Sequence, residues 1–301
     1  MAMRWIAVDW GTTRLRTWAM EGAKVLAAAA SDAGMGGLGR DGFEPALLAL
    51  TSPWLAPGEV MPVVACGMVG ARQGWVEAPY LTVPCVPLDA TQMALAPARD
   101  PRIRVQIIPG LRQMKPADVM RGEETQMAGF LALHHGFDGV LCLPGTHTKW
   151  ARISAGEVVS FQTFMTGEMF ALLSDHSVLR HSLAGPGWDD AAFAGAVADA
   201  LSQPERIAAR LFSLRAESLL AGLGPEAARA RLSGTLIGAE LAAARPYWLG
   251  QHVAIIGAAG ISAIYAAALA QQGVAAEVAE ADAMTLAGLI AAQAQTGEQQ
   301  A

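Results

Sequence analysis

Cysteine is scarce in this chain: three in 301 residues, none in a CxxC pair, which excludes a disulfide framework and a thiolate metal site. Cys66, Cys85 and Cys142 read instead as buried thiols of a reducing compartment. Basic clusters are equally missing. No run of Lys or Arg exceeds two residues and the net charge is −6, so no nucleic-acid partner is expected. Long uninterrupted apolar segments are also absent. The nearest, Val253 to Ala270, is broken by Gly257 and Gly260 and is small in its side chains, so no membrane span is expected. Met1 to Trp5 enters the first strand within a few residues and leaves no room for a signal peptide, so a cytoplasmic protein is expected.

What is present is concentrated in two places. Ile6-Ala7-Val8-Asp9-Trp10-Gly11-Thr12-Thr13 is an apolar β-forming run that ends in an acid and breaks at a glycine into hydroxylic residues. Gly11 permits a tight reversal, Leu15, Thr17 and Ala19 suit a returning strand, and Thr12 and Thr13 offer hydroxyls and N–H groups to an anion. Asp9 can hold a hydrated cation beside them. A plain hairpin with a glycine turn reads from the same residues. Near position 138 the pattern returns: Val140-Leu141-Cys142-Leu143 is a buried strand, and Pro144-Gly145-Thr146-His147-Thr148-Lys149-Trp150 is a small polar turn leading into another strand. Each unit precedes a third strand and a helix. The order of elements is thus duplicated without visible sequence similarity, which favours two domains, 1–120 and 121–301.

Strands are expected near 4–9, 14–20, 24–30, 62–67 and 104–109, with a helix near 41–51. The Gly- and Pro-rich stretch 67–98 carries Met68, Trp75 and Tyr80 and reads as a long loop, either walling a ligand pocket or packed by its own aromatics. A helix over 121–134 opens the second half, followed by strands near 139–143, 148–154 and 157–163. Helices near 167–179, 188–201, 204–213 and 225–244 come next. A strand at 252–257, a helix at 260–272, a short strand at 274–278 and a terminal helix to about 294 complete the reading, with a frayed polar tail. The class is α/β with a mixed sheet in each half.

The segments Val8-Asp9-Trp10-Gly11-Thr12-Thr13, Cys66-Gly67-Met68-Val69-Gly70, Gly74-Trp75 with Ala78-Pro79-Tyr80, Val119-Met120-Arg121-Gly122-Glu123-Glu124-Thr125-Gln126, Pro144 to Trp150, Met165-Thr166-Gly167-Glu168 and Leu236-Ile237-Gly238-Ala239-Glu240 together resemble the 2-dehydro-3-deoxygalactonokinases. That family belongs to the superfamily of sugar kinases, actin and Hsp70. The resemblance runs from Ile6 to about Gly288. It implies two actin-like, ribonuclease H-like lobes, each a mixed sheet flanked by helices, with an ATP and substrate cleft between them. It further implies phosphorylation of the 6-hydroxyl of 2-dehydro-3-deoxy-D-galactonate by ATP and Mg2+, in galactonate catabolism. Another keto-deoxy acid such as 2-dehydro-3-deoxygluconate, a neutral sugar, or a non-catalytic sensor are the alternatives. A homo-oligomer stays open.

Phosphoryl transfer asks for donors around the phosphates, magnesium, and a carboxylate for the attacking hydroxyl. Gly11, Thr12 and Thr13, with Gly145, Thr146, His147 and Lys149, are the expected phosphate contacts. Asp9 is the expected metal-side carboxylate, acting through water. Glu124, at the start of a helix behind Gly122, is the expected base, with Asp9 its rival; an acid there also serves merely to complement the helix dipole. Arg14, Arg121, Met68, Tyr80 and Glu168 are expected to face the sugar acid, Arg121 as a carboxylate fork. Thr166 has N-cap chemistry. Gly257, Ala258 and Gly260 form a small-residue turn where superfamily resemblance puts adenosine. It lacks a complete GxGxxG, which argues against a dinucleotide turn; many members of the wider superfamily have paired glycines here and an Asp where this chain has Leu143, departures that the resembled family tolerates.

Overall fold

A computed structural model describes residues 4–298. By backbone proximity the chain forms two compact units. One comprises the residues up to Phe137, the segment Ile153–Ser160 and the residues from Ala281 on; the other comprises Asp138–Arg152 and Phe161–Glu280.

In the first unit β1 (Arg4–Trp10), β2 (Leu15–Glu21) and β3 (Lys24–Ser31) form an antiparallel meander that leads into helix α1 (Phe43–Thr51). Strand β4 (Met61–Gly67) lies parallel to β1, pairing Asp9 with Cys66 and Trp10 with Gly67. After β5 (Tyr80–Thr82) and β6 (Ala94–Leu95), β7 (Ile103–Ile107) lies parallel to β4, giving a sheet of order β3-β2-β1-β4-β7-β6. Strand β1 is apolar nearly throughout because it is central and covered on both faces. Ile6, Val8, Trp10, Phe43, Leu47, Val63 and Val105 fill one side. Trp5, Ala7, Val64, Cys66, Leu289 and Ala292 fill the other.

The hairpin β8 (Gly110–Met114) and β9 (Ala117–Met120) pairs with β5 in a separate three-stranded sheet. Helix α2 (Glu123–Leu133) follows.

The second unit repeats the plan. Strands β10 (Gly139–Leu143), β11 (Thr148–Ser154) and β12 (Glu157–Phe164) precede α3 (Thr166–His176). Helices α4 (Asp190–Ser202), α5 (Ile207–Leu220), α6 (Pro225–Ala243) and α7 (Arg245–Trp248) come before β13 (Val253–Gly257), α8 (Ala259–Ala270) and β14 (Glu277–Glu280). The sheet order, β12-β11-β10-β13-β14, matches the first five strands of the other sheet, and β10, β13 and β14 are parallel. The duplication inferred from element order is therefore real, and each unit is the expected mixed sheet flanked by helices. Gly234 and Gly238 of α6 lie against the backbone of α4 at Phe193 and Val197, a close helix crossing that small residues allow.

Several expectations need correction. The boundary expected at 120/121 falls inside the first unit, because α2 packs on the last helix, α9 (Ala281–Glu298). The tip of the β11–β12 hairpin also groups with that unit, where Val158 bridges to Cys85. The 67–98 stretch is not all loop, since it contributes β5 and β6. Helix α2 starts at Glu123, two residues later than expected, because Gly122 has φ +108°. The terminal helix runs on to Glu298, so Gln295 to Glu298 are not frayed; the Gln295 side chain accepts from the Ala90 N–H at 3.1 Å, while residues 299–301 lie outside the described residues. Cys85 is half-buried, while Cys66 and Cys142 are buried as expected. Among the described residues no helix is long and apolar enough to cross a membrane.

Candidate active site

In the first unit Asp9 is the penultimate residue of β1, and the Gly11 turn that follows closes through a bond from Gly11 N–H to the Arg14 carbonyl at 2.8 Å. The Gly11 and Thr12 carbonyls accept from Met35 and Gly36, while Gly34 lies against the Thr13 backbone so closely that a Cβ would not fit. This second loop props the turn from behind and leaves Thr12 and Thr13 exposed. Arg14 is exposed too, its nearest acid being Asp32 at 3.6 Å. The better-placed cation is Arg16, which pairs with both Asp9 and Asp282 and so fixes the Asp9 carboxylate.

Asp9 Oδ1 accepts from the Cys66 thiol at 3.8 Å. Cys66 is followed by Gly67 at φ +87°, whose Cα meets the space a Cβ on Gly122 would fill. The positive φ at both positions favours glycine, and a Cβ on Gly67 would also crowd the Trp10 carbonyl oxygen of β1 at 2.7 Å. Behind them Glu124 is fully buried, accepting from Gly122 N–H at 2.7 Å and from the Thr125 hydroxyl at 3.2 Å. Burial, reinforced by the neighbouring Glu123, pushes its pKa up to about 8. Glu123 lies half-buried and accepts from Arg121 N–H at 3.2 Å. The thiol of Cys66 is pushed up by burial and then by Asp9 and Glu124, which keeps it protonated.

Arg121 stacks on Tyr80, with its guanidinium carbon 4.3 Å from the ring centroid, and donates from Nη2 to the Ala78 carbonyl at 2.8 Å. Its Nε and Nη1 are buried without a hydrogen-bond partner. Unpaired buried donors on a charged group are costly, and an anionic ligand would meet that demand. Met68 is half-buried in the short turn after Gly67.

In the second unit the 145–147 turn is held by α3. Gly167 sits on the Gly145 carbonyl with no room for a Cβ, and Glu168 N–H donates to the Thr146 carbonyl at 2.9 Å. His147 Nε2 and Glu168 Oε2 are 2.6 Å apart, so these two expected ligand contacts are each other's partners. Lys149 is buried, and its Nζ donates to the His147 carbonyl at 3.0 Å. Beside the turn opens a pocket of about 280 Å³ lined by Gly145, Thr166, Phe170, Trp188, Ile261 and Ile264 among others. Such a volume is at the small end for ligand sites and suits one flat ring system. Gly257 instead packs on Pro144 and Ser262, and Ala258 and Gly260 are exposed ahead of Ile261.

Thr166 is not an N-cap. Met165 holds that position, and the Thr166 hydroxyl donates to Glu240, because a buried carboxylate is the stronger acceptor. Glu240 also accepts from Trp150 Nε1 and Tyr265 OH, each at 2.8 Å, and burial raises its pKa to about 7. Sequence reading missed Glu240's role; the available signal was a lone acid among Leu236, Ile237 and Leu241 on a buried helix. Asp282 had no local signal.

Glu124 and Glu240 both have raised pKa values, so their stabilising contribution is complete below the ordinary value of 4.5 and is lost as pH rises through about 8 and about 7. The melting temperature should therefore fall between pH 5 and pH 8.5, and Glu124→Gln and Glu240→Gln should each flatten that slope in calorimetric scans.

Three comparisons place the chain. The family model for 2-keto-3-deoxy-galactonokinase matches residues 9–292. A Rhizobium meliloti (strain 1021) protein named "Probable 2-dehydro-3-deoxygalactonokinase DgoK1" is 40% identical over 95% of both chains. The 2-dehydro-3-deoxygalactonokinase of Escherichia coli (strain K12) is 36% identical over 91% of both chains. A crystal structure from Sinorhizobium meliloti, of a protein provisionally named 2-dehydro-3-deoxygalactonokinase, superposes with a TM-score of 0.89 at 39% identity, covering 96% of this chain and 97% of that one. The chain belongs to the 2-keto-3-deoxy-galactonokinase family.

Proposed function

We infer that the chain is an ATP-dependent kinase that phosphorylates the 6-hydroxyl of 2-dehydro-3-deoxy-D-galactonate, a step of galactonate breakdown. The observation that carries the nucleotide half is the polar 145–147 turn opening onto an apolar pocket of about 280 Å³, a polyphosphate donor set beside a slot for a flat base. The names of the relatives supply the acceptor. We place the adenine against Trp188, Ile261 and Ile264, behind Gly257, Ala258 and the first turn of α8, which holds Gly260. The phosphates then meet Gly145, Thr146 and His147, with Lys149 bracing the turn from below. Gly11, Thr12 and Thr13 supply further donors in the first unit.

Asp9 fits a magnesium ion bound through water, since one partly exposed carboxylate is all that outer-shell binding asks of the protein. Such an ion would neutralise charge on the transferring phosphoryl group. Among the described residues no three acidic, His or Cys side chains group as a metal cage, so nucleotide phosphates would complete its coordination. We assign Glu124 as the base that takes the proton of the 6-hydroxyl, and Arg121 as the contact for the substrate carboxylate, with Tyr80 and Met68 alongside it. Glu168 is assigned to sugar hydroxyls, and Arg14 to the rim. A cytoplasmic location suits free thiols such as Cys66 and Cys142.

A coupled ADP-release assay tests the reading with 2-keto-3-deoxygalactonate, its gluconate epimer, galactonate, galactose and glycerol as acceptors. Preference for the first is expected; folded, ATP-binding protein silent on all five would overturn it. Arg121→Lys should raise the KM for the sugar acid about 10-fold or more while leaving the KM for ATP unchanged, because a charge-assisted contact worth about 1.5–3 kcal/mol is lost.

A further inference from the structure

We infer that Glu240 is a positioning residue for the nucleotide, clamping the pocket wall and the collar of the 145–147 turn. The inference rests on the reading of that pocket as the adenine slot.

Glu240 is 3% exposed, and its carboxylate gathers donors from three other elements of the second unit. Trp150 on β11 donates to Oε1, while Thr166 at the start of α3 and Tyr265 on α8 donate to Oε2. The Tyr265 hydroxyl lies 2.9 Å from the Thr148 hydroxyl. With the one tyrosine proton going to Glu240, Thr148 donates to Tyr265, so the carboxylate accepts from all three of its neighbours. Thr166 and Tyr265 both line the pocket, whereas Glu240 and Trp150 do not.

The linkage to the turn is equally short. Gly167 follows Thr166 and rests on the Gly145 carbonyl, and Glu168 N–H bonds the Thr146 carbonyl. Freeing Thr166 therefore frees the first turn of α3, and with it the backbone that presents the phosphate donors. An alanine at 240 leaves the Trp150 and Thr166 donors without an acceptor, while the Tyr265 hydroxyl can turn to Thr148. A glutamine keeps all three contacts: its oxygen accepts from Trp150, and its amide donates to Thr166 and Tyr265 once their hydroxyls turn.

The test is calorimetric titration with ADP on wild type, Glu240→Ala, Glu240→Gln and Trp150→Phe, with steady-state KM values for ATP and the sugar acid. Glu240→Ala should weaken ADP and raise the ATP KM about 10-fold or more, with the sugar-acid KM within about 2-fold. Glu240→Gln should stay within about 3-fold of wild type, and Trp150→Phe should fall between. Folded Glu240→Ala with unmoved ADP affinity, or with both KM values rising together, overturns the role. If Glu240→Ala does not fold, unmoved affinity in Trp150→Phe overturns it. Wild type that fails to bind ADP overturns the reading of the pocket itself, and this inference with it.

Discussion

Glu124→Gln is expected to lower kcat about 10²- to 10⁴-fold while leaving ADP affinity nearly intact, the signature of a lost general base. Glutamine has the same shape and its carbonyl can still accept from the Gly122 N–H, so the positive-φ turn ahead of α2 survives. The pH dependence sharpens the expectation. With the carboxyl pushed up to about 8, only the deprotonated fraction can take a proton, so wild-type kcat/KM rises with pH until about 8 and then levels off. The variant loses that limb. Because the side chain is wholly buried, the substrate hydroxyl must displace its bond to Gly122 or shift the turn to reach it. Asp9→Asn separates the two carboxylates: it should weaken magnesium-nucleotide more than ADP alone, since Asp9 is assigned to the metal. Collapse of ADP binding in Glu124→Gln would mark Glu124 as structural.

The largest loss of stability is expected from Gly288→Val. Helices α2 and α9 cross through glycine on both sides. A Cβ on Gly288 would land on the Thr125 carbonyl oxygen, and one on Gly129 would land on the Met284 carbonyl oxygen. Overpacking against side chains costs about 1–3 kcal/mol, and a backbone carbonyl yields less readily, so the penalty should reach or exceed about 3 kcal/mol. That corresponds to a fall of about 6–12 °C in melting temperature. The consequence reaches the active site, because α9 carries Asp282, which shares Arg16 with Asp9. Gly195→Ala is the control: Gly195 is exposed in the middle of α4 with nothing near its missing Cβ, so alanine should stabilise by about 0.5–1 kcal/mol.

Gly288 also shows where sequence reading stops. The central strands β1, β10 and β13 were legible because a strand covered on both faces must be apolar along its length, whatever it packs against. The two glycine turns were legible because a sharp reversal after such a strand needs small residues. The hairpin of β8 and β9 was not, since its residues alternate only weakly and its pairing with β5 depends on chain 30 residues away. Nor could the residence of α2 and α9 in the first unit be read, because the glycines that join them lie far apart in sequence.

At the active site the residue types were visible and their partners were not. Asp9 stood out as an acid closing an apolar strand, and Glu124 as an acid opening a helix behind Gly122. That Arg16 holds Asp9, that Glu168 holds His147, and that Thr166 serves Glu240 rather than capping its helix are facts of packing. Arg121 was readable as a cation near the helix start, but its two unpartnered nitrogens over Tyr80 were not.

The central claim is phosphoryl transfer from ATP to the 6-hydroxyl of 2-dehydro-3-deoxy-D-galactonate, and proton-coupled phosphorus NMR of the product tests it most directly. A single phosphomonoester signal split by the two protons on C6 is the predicted result. A signal coupled to any other carbon's proton, or inorganic phosphate released without a sugar ester, would contradict it.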